Sequence, residues 1–243
     1  MASYKRTIAK LASEKSPLIL ANDYEKTPNL ESRTLSNIRS LHKYLCAIKL
    51  NFHLLLPLGQ KQISKITSVA HDHGMVAIAD IKLNDIGNTN NITIEALWDM
   101  GFDAVIANPI MGPENLQKLV RLAHKNSKGV ISLCHMSSPE AKITYELPIL
   151  TTKAPLYHLF LEWATKMQVD GIVVGATFPE IVRFCKKKSK GKVSIYSPGI
   201  GTQGGDVQQA ISSGSDYLIV GRSILNAKDP VDASKTLYGL ARK

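Results

Sequence analysis

Three charged residues at short spacing, Asp80, Lys82 and Asp85, are the side chains of this sequence best suited by type and order to chemistry. They directly follow the apolar run 75–79, which comes after Gly74 and reads as a buried strand. Side chains two positions apart on a strand point to the same face, so we expect Asp80 and Lys82 to lie side by side. The C-terminal end of a strand is where α/β folds carry their active sites, and an unpaired buried charge there is costly. The two charges should therefore bind each other or a substrate.

The same three residues also fit a purely structural explanation. Asp80 and Lys82 would then form an ordinary ion pair, with Asp85 as the N-cap of the next helix. Spacing alone does not choose between the two interpretations, because Asp-x-Lys occurs often by chance. The choice depends on what else the fold brings to this strand end.

Short apolar runs alternate with longer amphipathic stretches along the chain, which indicates repeated strand and helix units. The eight predicted strands are residues 17–21, 46–50, 75–79, 104–107, 130–134, 171–174, 193–196 and 217–220. The predicted helices include residues 32–44, 58–73, 88–100, 113–124 and 155–167. Eight such units predict an α/β fold of the closed (β/α)8 TIM barrel type. A length of 243 residues with 44% hydrophobic content suits a single domain over residues 1–243.

Polar residues follow the predicted strand ends and would meet on one face of such a barrel. They are Asp23, Lys49, Asp80 with Lys82, Ser137, and the segments after the seventh and eighth strands. A barrel builds its active site from the C-terminal ends of separate strands. We therefore expect the functional site at that face.

The segments after the seventh and eighth strands carry features of a phosphate site. Residues 197–206 read SPGIGTQGGD, and residues 218–223 read LIVGRS. Glycine-rich loops expose backbone N–H groups, a helix N-terminus behind each loop adds a favourable dipole, and barrels commonly bind phosphate here. Arg222 supplies a planar fork for phosphate oxygens. The alternatives are ordinary tight turns for the glycines and a surface salt bridge for Arg222.

The chain is basic, with 30 Lys and Arg against 20 Asp and Glu and a formal charge of +10, which favours anionic partners. Nucleic acid is nevertheless not an expected partner, because the basic residues are spread along the sequence. The densest run, KKKSK at residues 186–190, fits the C-terminal end of a helix, where cations are favourable. We expect a small anionic substrate instead.

Cysteine and histidine spacing gives no indication of a metal site. Cys46, Cys134 and Cys185 are far apart and read as reduced, buried apolar residues. His71 and His73 are two apart on a predicted helix and point to different faces. No run approaches the roughly 18 apolar residues of a membrane span, and the N-terminus has no cleavage-like signal. We expect a cytoplasmic protein with no membrane partner.

Residues 80–89, DIKLNDIGNT, form a string DxKxxDIGNT that resembles the signature of the orotidine 5'-phosphate decarboxylase family. The resemblance runs from about residue 17 to residue 230 and includes Asp23, Lys49 and the segments MSSPEA, VVGAT, SPGIGTQGGD and VGRS. It implies conversion of orotidine 5'-phosphate to uridine 5'-phosphate in pyrimidine nucleotide synthesis. It also implies that the reaction uses no metal and no organic cofactor.

The resemblance further implies a role for individual residues. Lys82 would protonate C6 of the pyrimidine, and Asp80 would lie beside the departing CO2. Lys49 and Asp85 would complete an alternating charge network. The implied substrate contacts are Asp23, Lys49, Asp85 and Thr89 to ribose hydroxyls, Ser137 to the pyrimidine edge, Pro198 to the base, and Gln203, Arg222 and the backbone of Gly201 and Gly221 to the phosphate. Asp85 and Thr89 would reach the neighbouring subunit's site, which requires a homodimer.

Two other functions remain open at the level of sequence. The shorter pattern DxKxxD is shared with Mg2+-dependent sugar-phosphate decarboxylases and synthases of the same suprafamily. Those enzymes typically carry Glu at the end of strand two, where Lys49 would oppose a metal. The other possibility is a barrel that binds nucleotides or nucleic acid without catalysis, but such a module has no need for alternating Lys and Asp charges.

Some positions depart from the pattern of the family. Asn51 stands where the family commonly has glycine, and Asn108 stands where it often has histidine. The loop at residues 138–152 matches poorly beyond Ala141. We therefore make no prediction for the contacts of this loop, nor for His135 beside it.

Overall fold

Eight parallel strands form the centre of the protein in the computed structural model, which describes residues 3–25 and 28–242. The strands are β1 Leu18–Ala21, β2 Ala47–Asn51, β3 Val76–Leu83, β4 Ala104–Ala107, β5 Gly129–His135, β6 Gly171–Val174, β7 Ser194–Pro198 and β8 Tyr217–Val220. Each strand pairs with the next along the chain, and β8 pairs with β1 to close the barrel. The predicted (β/α)8 barrel is confirmed.

Helices surround the barrel and alternate with its strands. They are α1 Tyr4–Glu14, α2 Leu30–Leu41, α3 Phe52–Leu55, α4 Gln60–Asp72, α5 Gly87–Asp99, α6 Pro113–Lys125, α7 Leu156–Lys166, α8 Pro179–Ser189, α9 Val207–Ser213, α10 Arg222–Leu225 and α11 Pro230–Ala241. Short 3-10 turns occur at His42–Tyr44, Pro109–Met111 and Pro139–Ile143. The helix predicted at residues 32–44 is thus α2 followed by the first of these turns.

Strand β3 is longer than the apolar run that predicted it. It continues through Asp80 and Lys82 to Leu83, instead of ending at Ala79. Ile81 and Leu83 pack outward against the surrounding helices, so the outward face of the strand stays apolar while charged side chains occupy the inward face. The charges therefore lie on the strand itself, on a backbone fixed by the sheet.

Helix α1 covers the base of the barrel and is not among the elements predicted above. Tyr4 and Ile8 are buried with side chains of the barrel interior, and the Tyr4 and Tyr196 hydroxyls are 3.2 Å apart. A Cβ on Gly129 would overlap the Tyr4 ring, so the glycine makes room for this helix. Its N-cap is Ser3, a residue type common at that position, although the Ser3 side chain makes no capping hydrogen bond.

A second, larger apolar core lies between the strands and the outer helices. Cys134 and Cys185 are buried in it, and Trp98 and Trp163 pack against it while partly buried. The third cysteine, Cys46, is buried with the interior cluster. All three are free thiols, as the sequence predicted.

Helix α8 ends with three lysines in its last turn, Lys186, Lys187 and Lys188. Its C-cap is Lys190, with a left-handed backbone at φ 50°. Cations at this position interact favourably with the helix dipole. The prediction that the basic run marks a helix end is confirmed.

Within residues 3–25 and 28–242, no helix combines the length and the apolar character needed to cross a membrane.

Candidate functional site

A cavity of about 250 Å³ opens at the C-terminal mouth of the barrel. Nine of the twelve predicted site residues line it: Asp23, Lys49, Asp80, Lys82, Ser137, Pro198, Gln203, Gly221 and Arg222. These side chains come from the ends of five strands or the loops that follow them, namely β1, β2, β3, β5 and β7, together with the start of α10 after β8. The structure therefore brings together residues that are up to about 200 positions apart in sequence.

One side of the cavity holds a group of alternating charges, Asp23, Lys49, Asp80 and Lys82, which we call the charge cluster. The Asp80 carboxylate accepts from Lys49 Nζ at 2.7 Å and from Lys82 Nζ at 2.8 Å, through different oxygens. Lys49 Nζ also lies 3.5 Å from Asp23. The exposed fractions of the Lys49 and Asp80 side chains are 5% and 9%, whereas that of Lys82 is 36%. Of the two lysines bonded to Asp80, Lys82 is therefore the one accessible to a ligand.

The inward position of both Asp80 and Lys82 agrees with the predicted alternation, although the backbone there is irregular. Three residues of β3 but only one of β4 lie between the pairs Ala79/Val105 and Leu83/Ala107, so β3 bulges. Lys82 has a left-handed backbone with φ 47°. Such a conformation is costly for a residue with a side chain and is retained where surrounding contacts enforce it. The sheet and Asp80 together hold the Lys82 ammonium at the mouth of the barrel.

Burial and charge act in opposite directions on the two most buried members of the charge cluster. Burial by itself lowers the pKa of Lys49 and raises the pKa of Asp80. Neighbouring opposite charges outweigh burial, so the pKa of Lys49 lies above its usual value and the pKa of Asp80 lies below its usual value. Both groups are therefore charged around neutral pH.

The opposite side of the cavity is formed by the segment 199–205, which we call the β7 loop, and by Arg222. The loop is a tight turn in which Gly201 N–H donates to the Gly205 carbonyl at 2.8 Å and Gly205 N–H donates to the Gly199 carbonyl at 3.0 Å. Gln203 and Arg222 are exposed at the rim of the cavity. Exposed amide and guanidinium groups facing one cavity suit an oxyanion such as phosphate.

Gly201 does not line the cavity, although the sequence predicted that its backbone holds phosphate. Its N–H is already used within the β7 loop, in the bond to Gly205. Gly221 does line the cavity, close to Asp23. The two glycines that were predicted to act alike therefore occupy different positions.

Asp85 and Thr89, the other two predicted residues outside the cavity, are exposed on the surface beside it. The Asp85 carboxylate accepts from the adjacent Ile86 N–H at 2.7 Å. Ile86 is the N-cap of α5, so the alternative that Asp85 itself is the N-cap is wrong. Asn90 donates to the Asp85 carbonyl at 2.5 Å and holds this turn in place.

The structure adds lining residues that were not among the predicted site residues. Asn51 at the end of β2 lines the cavity and accepts from the Phe52 N–H at 2.8 Å, which caps α3. The apolar floor consists of inward-facing strand residues: Ile106, Leu133, Val173 and Ile219. Because every second residue of a strand faces the barrel interior, these residues could have been predicted from sequence once one inward-facing residue of each strand was known.

Two other polar residues near the mouth have structural partners. His135 is fully buried, with its ring nitrogens 3.0 Å from the Met136 carbonyl and 3.2 Å from the Glu146 carboxylate. Burial lowers the pKa of His135, and this outweighs the hydrogen bond to Glu146. Asn108 accepts from the Ile110 N–H at 3.2 Å. Neither residue lines the cavity.

Comparisons with known proteins agree on one family. The family model of the orotidine 5'-phosphate decarboxylase / HUMPS family matches residues 16–237. The orotidine 5'-phosphate decarboxylase of Pyrococcus abyssi is 34% identical over 208 residues, which cover 86% of this chain and 92% of that protein. The enzyme of the same name from Thermococcus kodakarensis is 33% identical and covers 93% of this chain and 96% of its own.

Solved structures give the same result. The crystal structure of orotidine 5'-monophosphate decarboxylase from Methanocaldococcus jannaschii, complexed with the inhibitor BMP, superposes with a TM-score of 0.78 at 28% identity, over 93% of this chain and 98% of that chain. The enzyme from Pyrococcus horikoshii superposes with a TM-score of 0.76 at 31% identity, over 93% and 99% of the two chains. The chain therefore belongs to the orotidine 5'-phosphate decarboxylase / HUMPS family.

Proposed function

We propose that this protein decarboxylates orotidine 5'-phosphate to uridine 5'-phosphate, a step of pyrimidine nucleotide synthesis, without a metal or an organic cofactor. The observation that carries the proposal is the Asp80 carboxylate held between the Lys49 and Lys82 ammonium groups at the barrel mouth. Membership of the family and the names of the relatives support the same reaction.

The charge cluster suits the chemistry of this reaction. When the bond from C6 to the carboxylate breaks, the electron pair stays on C6 as a carbanion that the ring delocalises poorly. The Lys82 ammonium stabilises that charge and then donates its proton to C6, while CO2 leaves. Asp80 keeps Lys82 charged and oriented through the 2.8 Å hydrogen bond. Asp80 would also lie beside the substrate carboxylate, and repulsion between them would be relieved as CO2 departs.

The rest of the cavity suits a nucleotide. Asp23 and Lys49 would hold ribose hydroxyls, Ser137 and Pro198 the pyrimidine, and Gln203, Arg222 and the Gly221 backbone the phosphate. The charge cluster and the exposed Arg222 line the same cavity, which supports binding of one substrate that carries both a reacting carboxylate and a phosphate. Because the phosphate is remote from C6, its binding energy serves to organise the site.

A Mg2+-dependent sugar-phosphate enzyme is the alternative within the same family. Both carboxylate oxygens of Asp80 already accept from ammonium groups, and a divalent cation beside Lys49 would be repelled. The donor set at this strand end therefore favours the metal-independent reaction.

The test is the loss of orotidine 5'-phosphate absorbance in the ultraviolet with purified protein in the presence of a chelator. We expect rapid turnover that added chelator does not change. Absence of turnover would contradict the proposal. Turnover that chelator abolishes, together with Mg2+-dependent turnover of sugar phosphates, would support the alternative enzyme.

We also propose a homodimer in which Asp85 and Thr89 complete the partner's site. Five large apolar side chains, Phe52, Leu56, Ile86, Ile92 and Ile110, are 52–70% exposed on the loops and helices after β2, β3 and β4. A surface of this kind next to an active site is typical of a subunit interface. Asp85 and Thr89 lie within the same part of the surface, outside their own cavity.

Mixing two inactive variants tests this arrangement. In a mixed dimer of Lys82→Ala and Asp85→Asn chains, the site on the Asp85→Asn chain keeps its own Lys82 and receives an intact Asp85 from the partner. Random exchange makes half of the dimers mixed, each with one intact site, so we expect activity to recover to about a quarter of the wild-type value. No recovery in a sample shown by light scattering to have exchanged subunits would contradict a shared site.

Two broader proposals accompany these. We propose that residues 1–243 form one domain, since the barrel and the family match each span most of the chain. A single cooperative unfolding transition in calorimetry is expected. We also propose a cytoplasmic location, in keeping with three free, buried thiols, and cell fractionation would test it.

A further inference from the structure

The Ser223 hydroxyl joins the two loops on the phosphate side of the cavity. Ser223 lies on α10, directly after Arg222, and it is only partly exposed. Its Oγ donates to the Ile200 carbonyl at 3.1 Å and accepts from the Thr202 N–H at 3.1 Å. Both partners belong to the β7 loop, on either side of Gly201. One hydroxyl therefore satisfies an acceptor at the buried Ile200 and a donor at the exposed Thr202 of this loop.

Gly201 makes the space that this hydroxyl occupies. A Cβ on Gly201 would overlap Ser223 Oγ and would lie 3.0 Å from Ser223 Cβ. Gly201 also has a φ of 78°, which residues with side chains rarely adopt. The close contact with Ser223 and the positive φ together explain why residue 201 is a glycine although it does not line the cavity.

The contact fixes the two phosphate-binding groups relative to each other. Gln203 follows the bonded Thr202 N–H by one residue, and Arg222 precedes Ser223 by one residue. Both Gln203 and Arg222 are exposed at the rim. Without the Ser223 hydroxyl, the β7 loop would keep only the hydrogen bonds within its own turn. No hydrogen bond of Ser223 would then fix the distance between Gln203 and Arg222.

We propose that Ser223 is a positioning residue that holds the β7 loop against the start of α10, so that Gln203 and Arg222 bind one phosphate dianion together. The proposal rests on the proposed function and deepens it, because it assigns the fixed geometry of the phosphate site to a side chain outside that site. Ser223 does not line the cavity.

Binding of uridine 5'-phosphate, measured by calorimetry, is the first test. We expect Ser223→Ala to weaken binding about 10-fold, as for the loss of two hydrogen bonds in a partly exposed site, and to leave binding of phosphate-free uridine unchanged. Ser223→Thr keeps the hydroxyl and should retain most of the affinity. The matched control is Ser212→Ala, which removes an exposed hydroxyl bonded within α9 and should change neither ligand.

Turnover provides the second measurement. We expect Ser223→Ala to raise KM for orotidine 5'-phosphate about 10-fold with a smaller change in kcat, and to leave kcat/KM for phosphate-free orotidine unchanged. A double-mutant cycle with Gly201→Ala should be non-additive, because both changes damage the same contact.

These outcomes separate the two proposals. If the wild type binds uridine 5'-phosphate but does not decarboxylate, the proposed reaction fails while the Ser223 binding test stands. Equal affinities for wild type and Ser223→Ala would overturn the positioning role, and so would an equal loss for uridine, which would indicate general disruption. If the wild type binds neither uridine 5'-phosphate nor inorganic phosphate, both proposals fall.

Discussion

The charge cluster and the β7 loop with Arg222 face one cavity but are built in different ways. Three of the four residues of the charge cluster lie on the adjacent strands β2 and β3, with Lys49 and Asp80 almost fully buried and joined by a 2.7 Å ion pair. The side proposed to bind phosphate consists of the β7 loop, exposed at residues 201–204, and the exposed Arg222, joined at Ser223 by hydrogen bonds of 3.1 Å. Buried charges of fixed geometry suit a reaction step, whereas exposed loops suit capture and release of a ligand.

This difference predicts that the two sides fail differently. A buried ion pair that loses one partner leaves an uncompensated charge, which affects folding as well as catalysis. When an exposed arginine is removed, water takes its place and no buried charge is left unpaired. The variant should therefore lose affinity for the ligand and keep its stability. Variants on the two sides should therefore separate into those that change stability and kcat and those that change KM.

The largest combined effect is expected for Asp80→Asn. The amide removes the negative charge between Lys49 and Lys82, and the buried Lys49 ammonium keeps only Asp23 at 3.5 Å. We expect a loss of about 3–5 kcal/mol in the free energy of unfolding and a fall in kcat of at least about 10³-fold. Urea unfolding and the absorbance assay measure the two quantities. Unchanged stability would mean that the buried pair does not contribute to folding as its geometry indicates.

Lys82→Ala should separate catalysis from stability on the same side of the cavity. The Lys82 side chain is 36% exposed, and its removal leaves Asp80 paired with Lys49. The left-handed backbone at residue 82 remains unfavourable for alanine. We expect kcat to fall at least about 10³-fold through loss of the proposed proton donor and its charge, with a change in stability below about 1 kcal/mol.

The control for this variant is Lys118→Ala, which removes an exposed lysine of α6 that does not line the cavity and should change neither quantity. If Lys82→Ala keeps more than a tenth of the wild-type kcat, Lys82 is not the proton donor.

Arg222→Ala is the matching change on the phosphate side. Because Arg222 is exposed and starts the short helix α10, its loss should leave the unfolding free energy within about 0.5 kcal/mol of the wild type. We expect KM to rise about 10²-fold, since the proposed charge-assisted contact to the phosphate would be removed. Lys is not an equivalent replacement, so Arg222→Lys should recover only part of the affinity. An effect of Arg222→Ala on orotidine as large as on its phosphate would contradict a phosphate contact.

The same difference explains how much of the site the sequence revealed. The alternation of strand side chains and the position near the strand end are enough to predict that Asp80 and Lys82 lie together, because the sheet fixes the backbone that carries them. The two side chains are hydrogen-bonded in the structure. The bulge in β3 and the left-handed backbone of Lys82 leave no pattern in sequence, since they arise from pairing with β4. The burial of Lys49 likewise depends on tertiary packing.

The phosphate side shows the limit more clearly. The glycines of SPGIGTQGGD predict a turn, but which N–H groups remain free depends on the turn's own hydrogen bonds, and Gly201 uses its N–H internally. Ser223 could not be found from local pattern, because its partners are more than 20 residues away. Helix α1 was missed for a similar reason: its stripe is defined by the barrel base that it covers.

The smallest effect expected from the comparison is a difference in the pH dependence of stability. Burial raises the pKa of Asp80, but Lys49 and Lys82 outweigh it, so the folded-state pKa lies below the usual 3.8. Asp80 is thus protonated more readily in the unfolded chain, and the stability it contributes is present above about pH 4 and lost as pH falls through the folded-state pKa. The pKa of Lys49 is raised above 10.5, so its contribution is present below that pH and lost as pH rises through the folded value. Each unit of difference in pKa corresponds to about 1.4 kcal/mol.

Urea unfolding between pH 2 and 7 for wild type, Asp80→Asn and Arg222→Ala measures this acid dependence. Other carboxylates contribute to it, including Asp103, whose pKa is also lowered once its hydrogen bonds and nearby cations outweigh burial, so the comparison must be between variants. We expect Asp80→Asn to lose less stability on acidification than wild type, because the group that must be protonated is absent. Arg222→Ala should follow the wild-type curve, since Arg222 pairs with no carboxylate among the described residues. If the unfolding free energies of wild type and Asp80→Asn change in parallel with pH, the charge of Asp80 does not contribute to the acid sensitivity of the fold. The two sides of the cavity would then not differ in their contribution to stability.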